Sequence, residues 1–300
     1  MSDPFLSICL VTFQARQYLR ECLRSIYAAP PQVSFEIIVV DNHSTDGTLE
    51  MLHAEFPQVC IIQNQENLGF TKPMNQALRF GSGRYLMALN NDTQIPPGAF
   101  DILIDYMQAH PEAGICGPKV LNPDGSLQKP CRRGDSRPWA VFTYFSGLSA
   151  RFPKSKLFGK YHMSYLDEDE INEVDGLSGS CMLIRREVIN QIGYLDERFF
   201  AYQEDADYCL QARRAGWKVV YVPNARITHY GGQGGSRVQP YRSIFQWHRS
   251  YWLYFRKNFA ADYFFLFNWL YYLAMALKLG FALLQNLLRR GKFSPGRKPA

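Results

Sequence analysis

The chain has no paired cysteines. Its seven, Cys9, Cys22, Cys60, Cys116, Cys131, Cys181 and Cys209, are odd in number, scattered, and nowhere spaced as Cys-x-x-Cys. Most fall in apolar runs, which fits reduced core thiols in a reducing compartment rather than a disulfide framework. No Gly-x-Gly-x-x-Gly follows the first apolar run, and no Gly-x4-Gly-Lys-Ser/Thr occurs anywhere. Both absences argue against dinucleotide-binding and P-loop chemistry. The amino terminus, Met1 to Pro4, has no basic segment and leads straight into Phe5-Leu-Ser-Ile-Cys-Leu-Val-Thr12, so a buried strand is expected there rather than a signal peptide.

What is present is ordinary in bulk and uneven in detail. Hydrophobic residues make up 47% and charged residues 20% of the 300, which argues against disorder and allows one large domain or two modest ones. The net charge of +6 is the sum of two unlike parts. From Arg237 onward eleven lysines and arginines face the single acid Asp262, a net of +10; the preceding 236 residues carry 22 basic and 26 acidic side chains, a net of −4. A basic tail on a mildly acidic body points to an anionic partner for the tail and not to a nucleic-acid-binding protein.

The first hundred residues alternate strand and helix. Strands are expected at Leu6–Thr12, Phe35–Asp41, Val59–Gln63 and Arg84–Asn90, each a short apolar run followed by turn residues. Helical spacing relates Leu19, Leu23 and Ile26, and again Leu49, Leu52 and Phe56. A third helix is expected over Lys72–Phe80, and a fourth from the prolines at 96–97 to about His110. Apolar strands joined by helices imply an α/β fold whose mostly parallel sheet is covered on both faces. Ligands of such sheets sit beyond the carboxyl ends of the strands. Residues 118–172 read as less regular, with a turn at Asn122-Pro-Asp-Gly125 and an acidic patch at Asp167–Glu170. Gly179–Arg185 reads as a strand, Glu204 to Ala215 as a helix stopped by Gly216, and Lys218–Val222 and Ala225–His229 as two further strands. After Gly231-Gly-Gln-Gly-Gly235 the composition turns aromatic, basic and helical, which divides the chain into 1–236 and 237–300.

Several polar clusters fall at strand ends, and each has a plain reading beside a chemical one. Asp41 is either a turn acid or a carboxylate that accepts a nucleobase N–H. Asn90-Asn91-Asp92 is either a turn or a carboxylate site for Mg²⁺ or Mn²⁺ facing a diphosphate. Glu204, Asp205 and Asp207 open a helix, where acids favour the dipole by about 0.3–1 kcal/mol; one of them as a general base is the chemical alternative. His229 is a lone histidine at a strand end, before glycines that let backbone approach a ligand closely.

The order and spacing of these clusters carry more than any one of them. Thr12, Asp41-Asn-x-Ser-x-Asp46-Gly-Thr, Asn67-x-Gly69-Phe-x4-Asn75, Asn-Asn-Asp92, Gly179-Ser-x-Met182, Glu204-Asp205-x-Asp207 and His229 together resemble the family-2 inverting glycosyltransferases of the GT-A fold, over roughly residues 5–236. The likeness is closest to the bacterial subgroup that includes rhamnosyltransferases of polysaccharide and cell-wall assembly. It implies a Rossmann-like GT-A domain with a C-terminal helical extension, a nucleoside-diphosphate sugar donor (dTDP-rhamnose-like or a UDP-sugar), and a glycan or polyprenyl-linked acceptor. It also implies that Thr12 and Asp41 hold the base, with Asn67 and Asn75 lining the same pocket and Asn90, Asn91 and Asp92 beside the nucleotide. Asp92 and His229 would hold a divalent cation, Mg²⁺ or Mn²⁺. Asp205 would be the catalytic base, with Glu204 beside it.

Two departures matter. Asn90 stands where the family's metal motif has its first acid, so it supplies a hydrogen bond but no charge. The Gln-x-x-Arg-Trp of processive synthases is also missing, because Gln211-Ala-Arg-Arg214 is followed by Ala215; this favours single addition. A sugar nucleotidyltransferase would show a glycine-rich basic loop after the first strand, and Phe13-Gln-Ala-Arg16 is not one. A non-catalytic nucleotide-sugar-binding scaffold is disfavoured by the retention of Asp92 and of the Glu204-Asp205 pair.

The tail presents a run from Tyr263 to Leu284 long enough to span a bilayer, but Asn268, Lys278, Gln285 and basic flanks on both sides argue against spanning. Helices lying on the anionic inner face of the plasma membrane are expected, the enzyme being otherwise cytoplasmic. The alternatives are a helical hairpin packed on the catalytic domain and a homodimer interface.

Overall fold

The computed structural model describes residues 4–233 and 238–288. The expected boundary at 236/237 and the basic residues from Arg289 onward lie outside the described residues. The first three strands, β1 (Leu6–Thr12), β2 (Phe35–Asp41) and β3 (Cys60–Gln63), pair in parallel, as does β4 (Tyr85–Asn90) with β1. β1 and β4 are aliphatic on both faces because helices cover both sides of the sheet. Helices α1 (Arg16–Ala28), α2 (Thr48–Glu55) and α3 (Thr71–Phe80) connect these strands; α1 buries Leu19, Cys22, Leu23 and Ile26 on one stripe. After the short strand β5 (Thr93–Gln94) comes α4 (Ala99–Ala109).

Beyond α4 the chain departs from expectation. Ala113–Leu121 is a nine-residue strand, β6, at the heart of the sheet. Its glycines hid it. Gly114 is required by packing, since a Cβ there would lie 2.7 Å from the Trp217 side chain and 2.8 Å from Val188. Asn122–Gly125 is the expected turn, with Gly125 at φ 82° and its N–H donating to the Asn122 carbonyl. The irregular segment then holds the two-residue strand β7 (Arg132–Arg133), helices α5 (Pro138–Phe145) and α6 (Leu148–Arg151), and strands β8 (Asn172–Glu173) and β9 (Gly176–Leu177). Strand β10 (Cys181–Arg185), helix α7 (Arg186–Ile192) and helix α8 (Glu204–Arg214) follow. The two strands expected between Lys218 and His229 are one strand, β11 (Lys218–His229), whose register shifts between Val222 and Arg226.

The sheet order is β3-β2-β1-β4-β10-β6-β11-β5, with β8 paired to β11 and β7 forming a separate ribbon with β9. β10 runs antiparallel to both β4 and β6, so the sheet is mostly parallel with one reversed central strand. Strand order reverses between β1 and β4, which opens a crevice beyond their carboxyl ends. All seven cysteines are free thiols and six are buried.

Helices α9 (Pro240–Asn258) and α10 (Phe265–Leu288) form a hairpin on the back of α8. Phe199, Ala206 and Leu210 share one apolar cluster with Tyr254, Phe255 and Phe259. The Lys257 ammonium clamps the joint, bonding Asp207 at 2.6 Å and Asp196 at 2.8 Å, and Asn258 donates to Asp207 at 2.8 Å. The outer face of α10 is bare: Phe265, Trp269, Leu273, Leu277, Phe281 and Leu288 are all exposed. By length and composition it is the one helix among the described residues able to cross a membrane, with mean hydropathy 1.4.

Asp207 is buried, and removing a partner from a buried ion pair is costly. Lys257→Met is expected to lower the unfolding free energy by about 3 kcal/mol in urea titrations. Arg24→Ala, which breaks the exposed Arg24–Glu55 pair, should cost less than about 1 kcal/mol. Equal effects would show that the clamp behaves as a surface pair.

Candidate active site

The crevice between β1 and β4 gathers most of the expected residues. Parallel register sets Thr12 beside Asp41, and Val11 beside Asn90. Thr12 is buried, and its hydroxyl accepts the Asn91 amide at 3.0 Å. Asp41 is fully buried at the end of β2. Its Oδ2 accepts the Ser44 N–H at 3.0 Å, while its Oδ1 has no hydrogen-bond partner. A buried carboxylate oxygen without a donor is costly unless a ligand supplies one.

Asp92 and His229 meet at one end of the crevice because β5 pairs with β11, with Thr93 opposite His229. The hydrogen bonds fix the histidine tautomer. Gln128 gives its amide N–H groups to the Asn122 and His229 oxygens, so its Oε1 accepts from His229 Nδ1 at 2.7 Å. His229 Nε2 therefore carries the lone pair; it accepts the Asn90 amide at 3.1 Å and lies 3.0 Å from Asp92 Oδ1. A nitrogen lone pair facing a carboxylate oxygen at that distance suits an intervening cation. No group of three or more acid, histidine or cysteine ligands occurs among the described residues, so phosphate oxygens would complete such a site.

Glu204 and Asp205 open α8 after a strained elbow. Tyr202 and Gln203 both take positive φ, 69° and 66°, a conformation that non-glycine residues adopt at a cost of about 1–3 kcal/mol each. The elbow turns both acids inward, where each is buried. Asp205 accepts the N–H groups of Gly179 at 2.8 Å and Ala206 at 2.7 Å and pairs with Arg133. Glu204 Oε2 has no partner. The Ser180 carbonyl, next to Gly179, accepts the Asn90 N–H at 3.0 Å, so one short loop links β4 to the acid pair.

Two expected residues sit elsewhere. Asn67 uses its Oδ1 to cap the Gly69 N–H at 2.9 Å, in the loop whose Gly69 carbonyl accepts the Asn42 amide. Gly69 has φ 91°, and a Cβ there would lie 2.3 Å from the Phe200 carbonyl oxygen, so only glycine lets this loop meet the one before α8. Asn75 is corrected from a pocket residue to a structural one. It is fully buried and saturated, donating to the Leu195 carbonyl and Glu197 and accepting the Leu195 N–H at 3.1 Å. Arg133 and Gln128 are the residues that sequence reasoning missed. Neither belongs to a spaced motif; the β7–β9 ribbon and the tip of the 122–128 turn deliver them.

Burial first, and then the charge of Asp205, raise the Glu204 carboxyl above its ordinary range; Asp207 adds to this and Arg133 opposes it. A glutamate with a raised folded pKa binds more protons folded than unfolded, so stability is lost as pH rises above about 4.3, the ordinary glutamate value, through the folded value. Glu204→Gln is expected to match wild type below that window and exceed it in urea stability above it. The gain is about 1.4 kcal/mol for each unit of elevation. A constant difference across pH would remove Glu204 as the titrating group.

A family model for glycosyl transferase family 2 matches residues 7–193. The N-acetylglucosaminyl-diphospho-decaprenol L-rhamnosyltransferase of Mycobacterium tuberculosis is 30% identical over 243 residues, covering 77% of this chain and 78% of that protein. The low-salt glycan biosynthesis hexosyltransferase Agl10 of Haloferax volcanii is 28% identical over 213 residues, covering 70% and 62%. Among solved structures, S. aureus TarS 1-349 superposes with a TM-score of 0.55 at 17% identity, covering 83% of this chain and 64% of that one. The mannosyltransferase PcManGT from Pyrobaculum calidifontis, in complex with GDP-Man and Mn2+, gives 0.56 at 16%, covering 86% and 64%. These structures share the GT-A fold. With more than half of its length matched by the family model, the chain belongs to glycosyl transferase family 2 and is a glycosyltransferase of the hexosyltransferase type.

Proposed function

We propose that the enzyme moves one sugar, a rhamnose-like or other hexose, from a nucleoside diphosphate to a hydroxyl of a glycan or polyprenyl-linked acceptor, with inversion, in cell-surface polysaccharide synthesis. The observation that carries this reading is three polar features joined through β1, β4 and the Gly179–Ser180 loop: the free oxygen of Asp41, the facing Asp92–His229 pair, and the buried Glu204–Asp205 pair with its free Glu204 oxygen. The name of the mycobacterial relative, a rhamnosyltransferase acting on a decaprenyl-linked acceptor, supports the choice of sugar and acceptor.

Asp41 would accept an N–H of the base, and Thr12 and Asn91 would line the same wall. Asp92 and His229 would hold a divalent cation, with Gln128 fixing the histidine through Nδ1 and the Asn90 amide giving way at Nε2. When bound, that cation offsets the charge developing on the leaving diphosphate. Asp205 would take the acceptor proton as the new C–O bond forms and the bond to the diphosphate breaks, releasing the nucleoside diphosphate. One base opposite the leaving group suffices for inversion, and no second nucleophilic carboxylate is required. Arg133 and the Gly179 N–H hold that carboxylate in place. The bare apolar face of α10 would lie on an anionic membrane surface, and α5, with Trp139, Phe142 and Phe145 exposed, would extend it.

Asp205→Asn should lower kcat by at least ~100-fold, with donor binding unchanged in calorimetry. Turnover at the wild-type rate would pass the role to Glu204. Asp92→Ala should weaken nucleoside-diphosphate binding about 10-fold or more when Mn²⁺ is present, and His229→Ala less so. Full activity of chelator-treated wild type would remove the cation from the reaction.

A further inference from the structure

Outside the crevice, a cleft of about 450 Å³ opens between the loop after β3, the loop before α8, and helix α9. We propose that it seats the phosphate groups of a lipid-linked acceptor, a proposal that rests on the glycosyltransferase reading above. Lys72, Arg198, Arg242 and Arg249 line it, with the acids Glu66 and Glu197. Two of these charges are already spent. Arg198 is held by Asp196 at 2.6 Å, and Glu197 by Arg79 at 2.9 Å and Asn75 at 3.0 Å. Arg242 and Arg249 rest on neutral groups. Arg242 donates to Gln239 at 3.2 Å and to the Asn67 carbonyl at 3.5 Å, with its guanidinium over the Phe200 ring. Arg249 donates to the Arg198 carbonyl at 2.8 Å. No ion pair joins Lys72, Arg242 or Arg249 to a carboxylate among the described residues.

Lys72, Arg242 and Arg249 outnumber the exposed Glu66 and the already engaged Glu197, and a phosphate or diphosphate offsets the excess positive charge. The volume suits a diphosphate with an attached sugar. Gln246, also on the wall, has a buried Oε1 without a donor, which a sugar hydroxyl would supply. One turn away on α9, Tyr241 and Phe245 are exposed at helical spacing beside Arg242 and Arg249. A prenyl chain leaving the cleft would lie on this stripe. The wall of the cleft then leads directly to the chemistry, because Phe200 is followed by the Tyr202–Gln203 elbow and the acid pair. The donor diphosphate is served separately, by Asp92 and His229.

The test uses the full-length protein, its Arg249→Gln variant and the Arg242→Gln/Arg249→Gln double variant. Calorimetry measures binding of a short-chain prenyl diphosphate, of inorganic pyrophosphate, and of UDP and dTDP with Mn²⁺. Steady-state rates give KM for a prenyl-diphosphate-linked sugar and for the donor. The proposal expects prenyl-diphosphate affinity to fall about 10-fold or more in the double variant, with a matching rise in acceptor KM. Nucleotide affinity and donor KM should stay within about twofold, which also shows that the variants are folded. Loss of nucleotide affinity instead would assign the cleft to the donor and overturn the proposal. Unchanged prenyl-diphosphate affinity in both variants would also overturn it, as would pyrophosphate binding as tightly as the prenyl ester. Wild type that binds prenyl diphosphate through these arginines but transfers no sugar would uphold the cleft and remove the catalytic reading alone.

Discussion

The structure is organised around burying two adjacent carboxylates. Glu204 and Asp205 leave water at the first turn of α8, and each buried charge costs several kcal/mol unless it is compensated. The helix N-terminus offers part of that compensation. The rest comes from distant segments that the fold must deliver. The β7–β9 ribbon brings Arg133, the turn into β10 brings the Gly179 N–H, and α9 brings Lys257 to Asp207 one turn further along. The irregular middle of the chain and the C-terminal helices therefore serve the same first turn of α8. The compensation is uneven: Asp205 is fully engaged, while Glu204 is left with a free oxygen and a raised pKa. Environments that separate two neighbouring acids in this way are those expected where one must act and the other must not.

The donor side obeys a simpler constraint. Parallel strands that fan out from β1 leave their carboxyl ends facing one crevice, so Thr12, Asp41 and Asn91 are neighbours by register rather than by design of any single loop. The Asp92–His229 pair is less automatic. His229 reaches Asp92 only because β11 runs past β6 and then pairs with β5, and the bulge near Val222 sets its final approach.

This difference explains what the sequence disclosed. Strands of uniform aliphatic character, such as Leu6–Thr12 and Phe35–Asp41, were legible to the residue, and so were the polar residues at their ends. β6 was not, because Gly114, Gly117 and Pro118 interrupt its pattern for reasons of packing that no local rule contains. Arg133 and Gln128 were illegible for a related reason: their partners lie 72 and 101 residues away, and neither neighbour announces them. Asn75 shows the reverse error. Its spacing fits the motif, but two backbone groups of Leu195 and the Glu197 carboxylate consume its amide. A motif asparagine is as readily a brace for a neighbouring loop as a ligand.

The end of α8 is committed to the tail. Gln211 and Arg214 occupy the positions that open the processive motif, and both are turned toward the tail. Gln211 bonds the Asn258 side chain at 3.0 Å, and Arg214 grips the same residue through its side-chain and main-chain oxygens at 3.2 and 3.1 Å. Ala215 stands in the place of that motif's tryptophan. Both side chains fasten α9, and α9 also carries the arginines of the basic cleft. A helix end committed to holding α9 in this way also sets where Arg242 and Arg249 stand relative to the acid pair at the other end of α8.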